Sequence, residues 1–220
     1  MATERFFKLP AEKQKRILDA AREEFARVPF EEVSINQIIK NAGISRGSFY
    51  TYFEDKEDLI DFIFQEQERS AHNSLKQVCL DCNGDYWLFL RKWLELTVSY
   101  GESDIIKQSV AIFKMCGFRN LDRQFGHVRD DSHRERHNAA QQELNDWLYA
   151  HVDPDIVDLT RSREEVDILF HATLKTAFTT LLHILLCESK EEQKLCMQDF
   201  LRFVELIKYG AAGKKLRENT

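Results

Sequence analysis

Residues 43–53 read GISRGSFYTYF, and the fold turns on how this stretch is read. Ser45 is a residue type that caps helix starts, so a short helix is expected to open after it. Gly47 falls in the first turn of that helix, and Phe49 and Phe53 stand four apart. With those two rings turned into a core beside Ile38 and Phe25, Arg46, Ser48, Thr51 and Tyr52 lie mostly away from it. That outward face offers a bidentate donor, two small hydroxyls and a phenol, groups suited to base edges and phosphate oxygens. Gly47 lowers helix stability by roughly 1 kcal/mol relative to alanine, and close approach of the backbone to a duplex is one use for that cost.

Upstream, Ser34 and Gln37 have the spacing of a capping box, and Ile35, Ile38 and Ile39 supply a short buried face. Asn41-Ala42-Gly43 ends that helix, so two short helices flank a glycine-containing turn, the helix-turn-helix pattern. An earlier helix is announced by Leu9-Pro10, with proline suited to a first helical position. Ile17, Leu18, Ala21, Phe25 and Val28 form its apolar stripe, and Pro29 stops it. Downstream, a helix starts at Asp55, with Glu57 and Asp58 favourable at its positive end, and runs through Leu59, Ile60, Ile63 and Phe64 towards residue 72. Around the short helix stand further donors for phosphate: Ser34 at a helix N-terminus, the Tyr50 hydroxyl and Lys56. Pattern alone also accommodates a structural helix with merely solvated polar residues, because a helix-turn-helix is not confined to DNA-binding proteins.

The second half carries longer helical patterns near 84–101, 104–116, 137–150, 163–187 and 191–209, separated at 117–137 by a polar stretch without a clean period. The tail from residue 211 reads as frayed. Three prolines and eight glycines are too few for a turn-rich sheet protein, so the expected class is all-α: an N-terminal three-helix domain with a helix-turn-helix, and a larger helical domain. The last two helices are apolar beyond one stripe, which favours pairing with a second copy into a four-helix bundle. Phe178, Leu181, Leu185, Phe200, Phe203, Val204 and Ile207 are the candidates for that dimer surface. Trp93, Phe113, Trp147 and Phe178, on four different helices, are candidates for lining an effector pocket, although aromatics at helical spacing are more often plain core.

Composition narrows the classes. Hydrophobic and charged contents of 43% and 31% suit a globular chain, and the net charge of −6 argues against blanket attraction to nucleic acid. The charge is uneven: residues 1–56 hold ten basic against nine acidic side chains, leaving −7 on the rest. Five cysteines without a signal-peptide pattern read as reduced thiols, and the near-apolar run 177–187 is too short to cross a bilayer. The cytoplasm is therefore the expected compartment, with no membrane partner. Cys79 and Cys82 have CxxC spacing without a second ligand pair, and His133 and His137, near His127 and Asp130, have metal-ligand spacing but are crowded by Arg134 and Arg136. Metal or redox sensing is thus a minor alternative, and no cofactor or metal is expected. No phosphate-cradling glycine loop or nucleophile elbow points to an enzyme, and His171 and His183 read as buried structural or pocket histidines.

KRILDAAREEFA (residues 15–26) and SINQIIKNAGISRGSFYTYFEDKEDLI (residues 34–60), within a match running from about Lys13 to Phe62, resemble the TetR family of bacterial transcriptional regulators. The match lies in Ala42-Gly43-Ile44-Ser45, Gly47, Tyr50, Phe53, Lys56 and Leu59. Ser34 and Ser48 replace a common threonine, Arg46 a common lysine and Phe49 a usual leucine. The resemblance implies a homodimeric, ligand-responsive regulator, most often a repressor, that binds a palindromic double-stranded DNA operator and leaves it when a small-molecule effector occupies the larger domain. Carried over, Arg46, Gly47, Ser48, Thr51 and Tyr52 would lie along the groove, and Ser34, Tyr50 and Lys56 would contact phosphates. The domains expected are 1–71 (helix-turn-helix about 34–53, linking helix 55–72), 72–210 for effector binding and dimerisation, and the tail. A helical enzyme or interaction module that keeps the fold without reading DNA is the alternative from another class.

Overall fold

The computed structural model describes residues 2–101, 103–116 and 131–210, with the side chains at 104, 105, 113, 116 and 131–137 outside the described set. Its regular elements are helices: α1 Glu4–Phe7, α2 Ala11–Arg27, a 3-10 turn Phe30–Glu32, α3 Ile35–Ala42, α4 Arg46–Tyr52, α5 Lys56–Asp81, α6 Tyr86–Ser99, α7 Asp104–Cys116, α8 Asp131–His151, α9 Arg163–Leu186 and α10 Lys190–Tyr209. The expected all-α class holds, with no strand among the described residues.

Two compact units form, one from residues 1–72 and 102–137, the other from 73–101 and 138–220. In the first, Ile17, Phe25, Ile38, Phe49, Phe53, Leu59, Ile60 and Ile63 share one core and are fully buried, as the spacing of the two phenylalanines predicts. Two contributions to it were not expected. The four-residue α1 inserts Phe6, fully buried, with its ring 4.9 Å from Phe53 and 5.4 Å from Phe62. And α7, expected in the second domain, packs along α2 and buries Ile112 in this core. The linking helix also differs from 55–72: Leu75, Val78 and Cys79 continue its helical spacing and are buried in the second unit's core, so α5 runs on to Asp81.

Local chemistry sets the helix ends. Pro10 serves α2 as N-cap, one residue earlier than expected. Gly43 closes α3 in the left-handed region (φ +64), its N–H reaching the Ile39 and Lys40 carbonyls, a C-terminal cap that glycine adopts without a Cβ penalty. At Ser34 one half of the capping box is present: Oγ accepts from the Gln37 N–H at 3.4 Å. The reciprocal half is absent, because the Ser34 N–H donates instead to Glu24 Oε1 at 3.1 Å and the Gln37 amide turns to Asn41. Glu24 is buried and is also held by Arg27 at 2.7 Å; it ties α2 to the start of α3.

The second unit packs α6, α9 and α10, with the end of α5 and much of α8, around Tyr86, Phe89, Leu90, Trp93, Leu148, Phe170, Leu174 and Phe200. The Tyr86 hydroxyl is hydrogen-bonded to Thr173 inside this core, and burial pushes its pKa well above the ordinary phenol value. Gly84 (φ +77) turns the chain between α5 and α6, where a Cβ would lie 2.5 Å from the His151 carbonyl oxygen. Helix α9 opens with a complete capping box between Ser162 and Glu165. It is apolar over a longer span than residues 177–187: one 18-residue window has mean hydropathy 1.3, enough by length and composition for a membrane span. Val166, Phe170, Leu174 and Ala177, however, are buried in the unit's core, the behaviour of a core helix. His171 and His183 are exposed, contrary to expectation.

Candidate nucleic-acid interface

Helix α4 is seven residues long, and its ends are fixed from both sides. The Ser45 hydroxyl accepts from the Ser48 N–H at 3.1 Å and pairs with the Ser48 hydroxyl at 2.8 Å. At the far end Thr3 reaches across from the N-terminus: its hydroxyl donates to the Thr51 carbonyl at 2.8 Å and its N–H to the Tyr52 carbonyl at 3.0 Å. A helix this short leaves most of its terminal carbonyls without internal partners, and Thr3 satisfies two of them. With Phe6 packed beneath, residues 3–6 act as a clamp on α4, which local sequence pattern did not reveal.

The outward face carries Arg46, Gly47, Tyr50 and, half-buried, Ser48 and Thr51. Arg46 donates to Asn36 Oδ1 at 2.7 Å and to the Tyr50 hydroxyl at 3.3 Å, with its guanidinium 5.5 Å from the Tyr50 ring. The Thr51 hydroxyl donates to the Gly47 carbonyl at 2.8 Å, which leaves its lone pairs as the groups it can offer outward. Of the two tyrosines, one lies where it is expected and the other does not. Tyr50, expected to offer its hydroxyl outward, is 45% exposed; Tyr52, expected along the groove, is 7% exposed and packs 6.1 Å from Phe6. Tyr52 follows Phe49 by three residues and so falls on the buried stripe.

A Cβ built on Gly47 meets nothing closer than the Ser45 hydroxyl at 4.0 Å, and Gly47 does not have positive φ. The fold therefore has no steric need for glycine here. Beside α4 an open groove of about 390 Å³ is lined by Val33, Ser34, Ile35, Asn36, Arg46, Asp55, Lys56 and Glu57. It brings together Ser34, Arg46 and Lys56, three of the expected contact residues, with the N-terminal turns of α3 and α5. Lys56 does not hang free: its ammonium donates to the Phe30 and Glu31 carbonyls at 2.8 and 3.2 Å and lies 4.8 Å from the Phe30 ring. Asp55 is occupied by the Asp58 N–H at 2.7 Å. Asn36 and Thr3 are the polar residues missed from sequence.

The remaining candidates fare unevenly. Trp93 and Phe178 meet edge to face at 4.8 Å. Trp147 stacks on His151 at 4.0 Å, beside Lys76 rather than with that pair. Phe113 belongs to the first unit, and its side chain lies outside the described residues. The four therefore do not assemble into one described pocket. Of the expected dimer surface, Phe200 and Val204 are buried in the second unit's core, Phe178, Leu181, Leu185 and Phe203 are half-buried, and Ile207 is exposed. Besides Ile207, helices α9 and α10 turn Ile168, Leu195 and Leu206 outward. Cys79 and Cys82 are both buried, and burial pushes the Cys79 thiol up to about 11, so neither is a ready metal ligand or redox group. His127 and Asp130 lie outside the described residues, as do the side chains of His133 and His137.

Residues 17–62 match the family described as "Bacterial regulatory proteins, tetR family". An HTH-type transcriptional regulator of Staphylococcus aureus is 33% identical over 75 residues, 34% of this chain and 40% of the relative. The fatty acid metabolism regulator protein of Bacillus subtilis is 38% identical over 60 residues, 25% of this chain and 31% of the relative. The chain thus matches less than half the length of these curated relatives. Among solved structures, a transcriptional regulator from Cytophaga hutchinsonii has a TM-score of 0.58 at 16% identity, covering 90% of this chain and 97% of that one. A tetR-family regulator from Streptomyces coelicolor also has a TM-score of 0.58, at 20% identity, covering 93% and 85%. These likenesses speak to the fold, and the likeness to the tetR family of bacterial regulatory proteins rests on residues 17–62.

Proposed function

We propose that the protein is a cytoplasmic, DNA-binding transcriptional regulator that works as a homodimer and leaves a palindromic operator when a small-molecule effector binds its second unit. The observation that carries this reading is Gly47: a glycine on the outward face of α4, with room for a methyl group that the fold leaves unused. Around it, Arg46 and Tyr50 supply donors for base edges or phosphates, while Ser34 and Lys56 flank the adjoining groove. Arg46 and Lys56 would exchange their present carbonyl and amide partners for phosphate oxygens, so the free protein holds both side chains near where they are used. Two copies related by a two-fold axis would place their α4 helices in successive major grooves, about 34–36 Å apart or a multiple of that. The outward apolar residues of α9 and α10, Ile168, Leu195, Leu206 and Ile207, are the surface offered for pairing. For the effector, Trp93 Nε1 is buried and has no hydrogen-bond partner among the described residues; an acceptor on a ligand beside Phe178 would satisfy it. The test is binding to the DNA that flanks the protein's own gene. Wild type should give a salt-sensitive, sequence-dependent shift, and a Tyr50→Ala, Lys56→Ala double variant should lose it while remaining dimeric. Absence of any such shift for wild type overturns the proposal.

A further inference from the structure

We infer that Cys187 and Cys196 form a thiol–disulfide exchange site, closing into a bridge between α9 and α10 with a low-molecular-weight disulfide as oxidant. Cys187 caps the C-terminus of α9, where its N–H bonds the His183 and Ile184 carbonyls at 3.0 and 3.3 Å. Cys196 sits in the second turn of α10. Their sulfurs are 4.0 Å apart, in van der Waals contact, so closure to a bond of about 2.05 Å asks each side chain to move by about 1 Å. Both thiols are half-buried and reachable, whereas Cys79 and Cys82 are buried in the core. A metal is the poorer occupant: no group of three or more His, Cys, Asp or Glu ligands forms among the described residues, and a structural zinc wants four.

The chemistry balances in two exchanges. The Cys196 thiolate attacks one sulfur of the small disulfide and expels one thiolate, which takes up the proton Cys196 lost. The Cys187 thiolate then attacks the Cys196 sulfur of the mixed disulfide and expels the second, which takes up the proton of Cys187. Two protein thiols are oxidised by two electrons, and one small disulfide is reduced to two thiols. Burial, the Cys196 thiol and Glu192 push the Cys187 thiol up from its ordinary value. Such a thiol is a slow attacking group and a poor leaving group, so the bridge forms slowly and, once formed, reopens slowly. Bridging would fix the α9–α10 hairpin, the surface proposed for pairing. That consequence rests on the dimer reading; the bridge itself does not.

The test uses the full chain with Cys116→Ser, incubated natively with excess oxidised glutathione, alkylated, digested and mapped by mass spectrometry. The expected product is an intrachain Cys187–Cys196 bridge, reversed by dithiothreitol, with Cys79 and Cys82 alkylated only after denaturation. With Cys187→Ser added, Cys196 should stop at the glutathione mixed disulfide. Persistent free thiols at 187 and 196, stable mixed disulfides in the unsubstituted pair, or bridges to other cysteines or between chains would each overturn the inference. Because the readout is a peptide map, it stands or fails independently of DNA binding.

Discussion

Replacing Gly47 with alanine separates what the fold needs from what a partner needs. In the free protein the added methyl faces open space, with Ser45 Oγ its nearest neighbour at 4.0 Å. Gly47 lies inside α4 without positive φ, so alanine should stabilise the helix by about 0.5–1 kcal/mol. For a chain of this size that raises the thermal midpoint by roughly 1–4 °C. If α4 lies against the duplex as proposed, the same methyl would project from the outward face into a fitted contact, where overpacking costs about 1–3 kcal/mol, or roughly 5- to 150-fold in affinity. No charge changes, so the slope of log affinity against log salt should match wild type. Thermal unfolding followed by circular dichroism gives the first quantity, and fluorescence anisotropy on operator DNA at two or more salt concentrations gives the others. A variant that is more stable yet binds DNA like wild type refutes the idea that glycine is there for the duplex. A less stable variant refutes the steric reading.

Two further substitutions probe the supports. Gly84→Ala places a Cβ 2.5 Å from the His151 carbonyl oxygen at φ +77 and should destabilise the second unit by about 2–4 kcal/mol, read as a lowered urea midpoint, with DNA affinity per folded molecule unchanged. Thr3→Val removes the hydroxyl bond to the Thr51 carbonyl at about 0.5–1.5 kcal/mol; it should weaken operator binding without altering the oligomeric state, and Thr3→Ser should restore binding. Unchanged affinity in Thr3→Val would mean that the clamp does not position α4.

Long-range partners were the part of the site that the sequence hid. Ser34, Ser45 and Asp55 sit where helix-start chemistry puts them, because a cap acts on a backbone N–H two or three residues away and its signal is local. The partner of the Ser34 N–H is Glu24, ten residues upstream, and Lys56 bonds carbonyls 25 and 26 residues away. Neither pairing leaves a mark at fixed spacing. Thr3 and Phe6 are further still from the helix they hold, and a four-residue helix has too few turns to declare a periodicity. In the second unit the apolar richness of α9 and α10 was legible, but not the direction each residue faces. Phe200 and Val204 serve their own unit's core, and the outward face falls to Leu195, Leu206 and Ile207. A helix apolar on more than one side tells how much surface must be covered, not which side an internal neighbour takes.

Tyr52 shows where a finer reading of the same residues was available. The expectation that Tyr52 faces outward treated Phe49 and Phe53 as the two markers of the buried stripe. Phe53, however, is the C-cap, with extended backbone at φ −135, so it reaches the core after the helix has ended and cannot report the helix's phase. Within α4 itself the phase is set by Phe49, and positions three and four residues apart share a face. Tyr52, at i+3 from Phe49, belongs on the buried side; Tyr50, at i+4 from Arg46, belongs beside it, where the 3.3 Å hydrogen bond is found. The outward face therefore carries Tyr50 in place of Tyr52: one guanidinium braced by a phenol and an amide, a glycine, and two hydroxyls already engaged. On the proposed reading, recognition would require Arg46 to leave Asn36 or to use its remaining donors. The residue that governs how readily it does so, Asn36, lies on α3, outside the stretch that announced the site.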